Sequence, residues 1–187
     1  MQELRAASFD EFVAWYLARE RRKNPQRTVP ESAPERRDMM YNDHRGKLRG
    51  WFEESRWSVV LFEKPDELES LIFHEADWVR KEGLLVGTGE DYRLLGRVVS
   101  NAIQAGFPWN SSDLRHLTYC TAIGRGHFRL EGSSRLVVCT PNPEEKQRNP
   151  SGTYYLHDGT ARTLAYMVLV KQETIPFEPV EAFLAAK

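Results

Sequence analysis

Residues 158–162 read Asp-Gly-Thr-Ala-Arg and separate a short aromatic segment, Thr153-Tyr154-Tyr155-Leu156-His157, from an apolar one ending at Val170. A strand that stops at Asp-Gly and turns directly into a helix leaves the first backbone N–H groups of that helix unpaired. With the helix dipole, those groups make an anion site. Gly159 permits a tight turn and close approach of a ligand. Arg162, in the first turn, can present a bidentate fork to a phosphate or carboxylate. Asp158 has three roles open to it: capping the helix, orienting Arg162 or holding a metal ion. The alternative is purely structural, with Asp158 as an N-cap, Gly159 as a turn residue and Arg162 on the surface.

Other chemistry-bearing residues carry less. His74-Glu75 lacks the second histidine of a zinc helix, and five scattered histidines make no ligand cluster. Gly87-Thr88-Gly89 lacks the Lys-Ser/Thr ending of a phosphate loop and is read as a helix cap. Cys120 and Cys139 form no CxxC; one falls in an expected helix and the other in an expected strand, both buried. Trp15, Trp51, Trp57 and Trp78 are packing residues. Trp109 is the best placed of the five tryptophans to stack on a ring, although packing is the simpler role.

The composition bounds the function. Apolar residues make up 41% of the 187 and charged residues 28%, which supports a core and argues against wholesale disorder. A net charge of −1 argues against a chain devoted to coating a nucleic-acid backbone. No apolar run approaches 18 residues and the N-terminus lacks a signal-peptide core. A soluble, reduced, cytoplasmic protein with no membrane partner is expected. Nothing in the sequence sets an oligomeric state.

The elements that must position the corner follow from periodicity. Ser8 and Glu11 have capping-box spacing, and Phe9, Phe12, Val13, Tyr16 and Leu17 share a face, predicting a helix over 9–22. Residues 22–40, with three prolines and many charges, read as a polar linker. A short helix is expected around 45–54 and a strand over 57–62. Pro65 opens a helix predicted to run through Val79 and stop at Gly83. A cap-like Thr88-Gly-Glu-Asp91 precedes a helix ending at Gly106, and a further helix is expected over 112–123. Then come a strand over 135–140, a loop, a strand over 153–157, the corner, a helix from Ala161, and an extended segment over 175–183 whose prolines suggest an edge strand. The expected class is α+β, a mostly helical region over 1–110 followed by a core of short strands and helices over 111–187.

The run Gly152-Thr-Tyr-Tyr-Leu-His-Asp-Gly-Thr-Ala-Arg-Thr-Leu-Ala165, followed by Ile175-Pro176, resembles the core of the ParB/sulfiredoxin-like superfamily. There a strand ends in a DG-x-x-R corner, an alanine-rich helix follows, and a short strand near "IP" closes the unit. The resemblance covers residues 112–184. Many relatives carry His or Arg immediately before the corner arginine; here that residue is Ala161.

The resemblance implies that the corner binds a nucleotide phosphate. Under it, the chain is a nucleotide-binding enzyme transferring a phosphoryl group from a nucleoside triphosphate, with Mg²⁺, to an unidentified small-molecule acceptor, or a hydrolase of the nucleotide. Gly159, Thr160 and Arg162 would hold phosphates. Asp158 or Glu131 would act as base or metal ligand, with His127 and Arg125 adding donors. A nonenzymatic DNA-associated or protein-interaction regulator is the alternative; Arg19, Arg21, Arg22, Lys23 and Arg27 would then contact phosphates. Nucleic acid is the less favoured partner because Glu20, Glu31 and Glu35 dilute that charge. A sulfiredoxin-type reductase would need a cysteine in the corner, and there is none.

Overall fold

The computed structural model describes residues 1–43, 52–73, 80, 83–87, 89–106 and 135–187. The expected helix over 112–123, together with Arg125, His127, Glu131, Cys120, Trp51, Trp78 and Trp109, lies outside them.

The described elements are β1 (Gln2–Ala7), α1 (Phe9–Lys23), α2 (Ala33–Asp43), β2 (Arg56–Phe62), α3 (Pro65–Glu69), α4 (Leu95–Gln104), β3 (Leu136–Cys139), α5 (Pro143–Arg148), β4 (Tyr155–Asp158), α6 (Thr160–Lys171) and β5 (Val180–Ala186). The strands form one five-stranded mixed sheet in the order β1-β2-β5-β3-β4. Only β3 and β5 run parallel; the other neighbours are antiparallel. The class is α+β, as the sequence led us to expect.

Helices cover both faces of this sheet, which is why β2, β3 and β5 read as almost unbroken apolar runs rather than as alternating ones. Trp57, Val59, Val137, Cys139, Phe183 and Ala185 face one layer, built from Phe12, Val13, Tyr16 and Leu17 of α1 and Met40 and Tyr41 of α2. Val60, Phe62, Leu136, Val138, Ala182 and Leu184 face the other, built from α4 and the apolar side of α6. The parity of each strand follows from the two-residue repeat of the pleat.

Several expectations are corrected. Residues 33–43 of the supposed linker form α2, begun by Ser32, whose hydroxyl accepts from the Glu35 N–H at 3.4 Å. The Pro-Asn-Pro loop contains the short helix α5, because Asn142 and Glu145 complete a reciprocal capping box with Pro143 behind it. The N-cap of α4 is Leu94 and not the expected cap ending at Asp91, of which Thr88 lies outside the described residues. The helix at Pro65 ends at Glu69, and Ile72 forms isolated bridges to Leu94 and Tyr155 instead. The polar β1 was not foreseen at all. The last strand is not an edge: the prolines at 176 and 179 precede it, and β5 lies between β2 and β3. One sheet therefore takes strands from both sides of residue 110.

No helix among the described residues is long and apolar enough to cross a membrane. Phe12 is fully buried, stacked on Trp57 at 4.5 Å and edge-on to Phe183 at 5.7 Å. Phe12→Ala should therefore cost about 3–5 kcal/mol, seen as a lower midpoint in urea unfolding with no loss of cooperativity. An unchanged midpoint would show that α1 contributes little to holding this face.

Candidate functional site at the end of β4

The corner is shaped by an irregularity in β4. Cys139 pairs with Tyr155 and Val138 with Leu156, but Val137 pairs with Asp158, leaving His157 as an extra residue. In a regular strand Asp158 would share a face with Leu156, on the side of α6. A one-residue bulge reverses the facing of everything beyond it. Asp158 thus joins Val137 on the face covered by α1, while His157 meets Phe52 edge-on at 5.2 Å.

What Asp158 finds there is Arg19. Its Nη1 forms an ion pair with Asp158 Oδ2. Arg19 is only 9% exposed, with its guanidinium 5.1 Å from the Trp15 ring and 5.2 Å from that of Tyr16. Nη2 and Nε also donate to Glu20 Oε1 at 3.0 and 3.2 Å. The other Asp158 oxygen accepts from the Gly159 N–H at 2.8 Å. Burial pushes the Asp158 carboxyl upward, but the charges of Arg19 and Arg162 and these hydrogen bonds outweigh it, holding the group below the usual carboxylate range.

Gly159 is the N-cap of α6 and has φ +92°. A Cβ there would lie 2.7 Å from Leu136 Cδ2 and 3.2 Å from Arg162 Nη2, so the arginine folds back against the turn. Thr163, fully buried, pins the turn with its hydroxyl and its N–H, both donating to the Gly159 carbonyl at 2.8 Å. Gly159 has no side chain with which to cap α6, and the start of a helix, where backbone N–H groups and the dipole point outward, favours an anion. Thr160, Ala161 and Arg162 are half-buried.

The structure brings together Asp158, Gly159, Thr160 and Arg162 of the expected site. Arg125, His127 and Glu131 are outside the described residues. Arg19 was expected, at most, as a phosphate contact on the surface; it faces inward instead. Its signal was the helical spacing, since 12, 16 and 19 fall on one stripe. Arg27 is likewise engaged, with Asp43 at 2.7 Å. Cys139 is buried and its thiol pushed up to about 12, first by burial and then by the Glu145 charge, which suits packing rather than nucleophilic chemistry.

Mg²⁺ is usually held by one or two carboxylates together with substrate phosphates. Asp158 does not fit that role as it stands: both oxygens are engaged, and two guanidinium charges oppose a cation beside it. Among the described residues no group of three or more His, Cys, Asp or Glu side chains is disposed to hold a metal ion. Compared with known proteins, the chain matches no protein-family model, no curated protein and no solved structure.

Two outcomes test this geometry. The lowered pKa of Asp158 means that its charge stabilises the fold above the unfolded-state value near pH 4 and that this contribution is lost as pH falls through the native value. Asp158→Asn should therefore flatten the loss of stability between about pH 5 and 2, and at pH 7 should cost about 1–3 kcal/mol by leaving the buried Arg19 with Glu20 as its remaining countercharge. An equally steep acid profile in the variant would remove Asp158 from this account. Gly159→Ala, strained by both φ and the Leu136 contact, should lower stability by at least about 1–3 kcal/mol, measured by thermal unfolding.

Proposed function

We propose that the chain is a nucleotide-binding protein of ParB/sulfiredoxin-like architecture whose β4–α6 corner receives the phosphates of a nucleoside triphosphate. The observation that carries this is the left-handed Gly159 at the start of α6, with Arg162 folded against it. A phosphate entering there meets backbone donors and a fork of guanidinium donors at once. Asp158 then acts as a positioning residue, held by Arg19 and in turn orienting Arg162 by charge. Phosphoryl transfer to a small acceptor is the reaction such a site would serve, by positioning and neutralising the transferred group. The general base would come from elsewhere than Asp158, and Glu131 keeps that candidacy.

One observation favours a second reading. Arg19 is shared between Asp158 and Glu20, so the charges around the corner are already largely balanced within the chain. A protein-interaction module that retained the architecture without the chemistry would look like this, and Ala161 agrees with it.

Thermal unfolding with ATP, CTP, GTP and ADP, each with and without Mg²⁺, separates the two. Saturation at about a hundredfold over Kd adds roughly 2.7 kcal/mol, or about 5 °C or more for a domain of this size. The expected outcome is such a shift for at least one nucleotide, abolished by Arg162→Ala. No shift with any of them in the folded wild-type protein would make the interaction module the better reading.

A further inference from the structure

A solvent-open cavity of about 630 Å³ lies away from the corner, lined by residues 80, 85, 87, 89, 90 and 92 and by Arg148 at the C-terminal end of α5. It sits on the side where β4 begins, whereas the corner lies where β4 ends; four strand residues put about 10 Å or more between them. The size is that of a small-molecule site.

Its wall is fixed by hydrogen bonds rather than by apolar packing alone. Asp91 adopts φ +59°, a conformation uncommon for a residue other than glycine. In it the Asp91 N–H donates to the Arg148 carbonyl at 2.9 Å, and Asp91 Oδ1 accepts from the Ser151 N–H at 3.0 Å. Arg97 Nη1 donates to the Glu90 carbonyl at 3.1 Å, and the Arg93 N–H donates to the buried Asn149 side chain at 3.1 Å. The segment from Glu90 to Arg93 is thereby fastened to the end of α5 before any ligand arrives.

The lining combines three chemistries. Arg80 and Arg148 supply guanidinium forks, Tyr92 an aromatic ring, and Glu90 a carboxylate. At Gly87 and Gly89 a Cβ would meet nothing within 4 Å, so the backbone there is open to approach. Arg148 pairs with Glu144 at 2.6 Å one turn back, but both side chains are more than half exposed. Such a solvated pair contributes little, and a ligand oxyanion can compete for the same fork.

We propose that this cavity binds a small phosphorylated sugar. The phosphate would lie on Arg80 and Arg148, the hydroxyls would donate to Glu90, and the carbon face of the ring would lie against Tyr92. A bare anion would gain nothing from Glu90, and an uncharged sugar nothing from the arginines; a molecule carrying both groups uses the whole lining. This inference is independent of the nucleotide proposed for the corner.

Calorimetric titration of the full chain with ribose 5-phosphate and glucose 6-phosphate, against ribose, glucose and inorganic phosphate, provides the test. At least one sugar phosphate should bind about tenfold or more tightly than the phosphate-free sugar or phosphate alone. Arg148→Ala, an exposed substitution that should leave the melting temperature within a degree or two, should weaken that binding about tenfold or more. Glu90→Gln should weaken the sugar phosphate but not inorganic phosphate, and Arg162→Ala should leave sugar-phosphate binding unchanged. No binding of either sugar phosphate at millimolar concentration overturns the proposal. So does binding indifferent to Arg148→Ala in a folded variant, or binding lost with Arg162→Ala, which would place the ligand at the corner instead.

Discussion

A guanidinium taken out of water needs a countercharge, and the placement of Arg19 makes that need the constraint on which the corner depends. Arg19 is held between the rings of α1 and the end of β4, where Glu20 meets it from its own helix and a second carboxylate must come from the same face of the sheet. The bulge at His157 supplies that carboxylate by turning Asp158 over. Without the extra residue, Asp158 would enter the layer occupied by Leu164 and Val168, leaving two opposite charges buried on opposite sides of a sheet. One inserted residue thus settles the facing of β4, the docking of α1 and the starting point of α6 together.

The two layers divide the work. The layer on α1 is dense in aromatic rings and carries the charged residues that reach the corner. The layer on α4 and α6 is richer in aliphatic side chains, and it anchors the helix whose first turn forms the proposed anion site. A helix held along its length by apolar contacts can begin at a glycine with no capping side chain, because its stability rests on packing. Function at such a terminus is therefore compatible with a rigid support.

Much of this frame was legible from residue types. The stripe of α1 carries a strong periodic signal, β2 and β3 stand out as compact apolar runs, and Gly159 announces a tight turn. What escaped was whatever depends on partners distant in the chain. β1 is polar because it lies exposed at the edge of the sheet, so nothing in its pattern marks it as a strand. β5 looked like an edge because Pro176 and Pro179 stand nearby, yet neither falls within the ladder. The arginine stripe position 19 was visible, but its inward facing follows only from a bulge in a strand 139 residues later. The Asp-Gly-x-x-Arg spacing located the corner; it contained no information on which oxygen would be taken by α1.

The order of the strands has a consequence for how the chain is made. β2 and β3 are neighbours of β5 and not of each other, so the middle of the sheet is made by the last of the five strands to be synthesised. Until then β1 and β2 can form at most an isolated hairpin-like pair with one apolar face uncovered, and β3 and β4 another. Two-stranded ribbons of this kind are marginal in water. Between the synthesis of β4 and that of β5 the nascent chain must therefore keep two sticky half-sheets apart, and the insertion of seven residues between them converts both into a single cooperative unit.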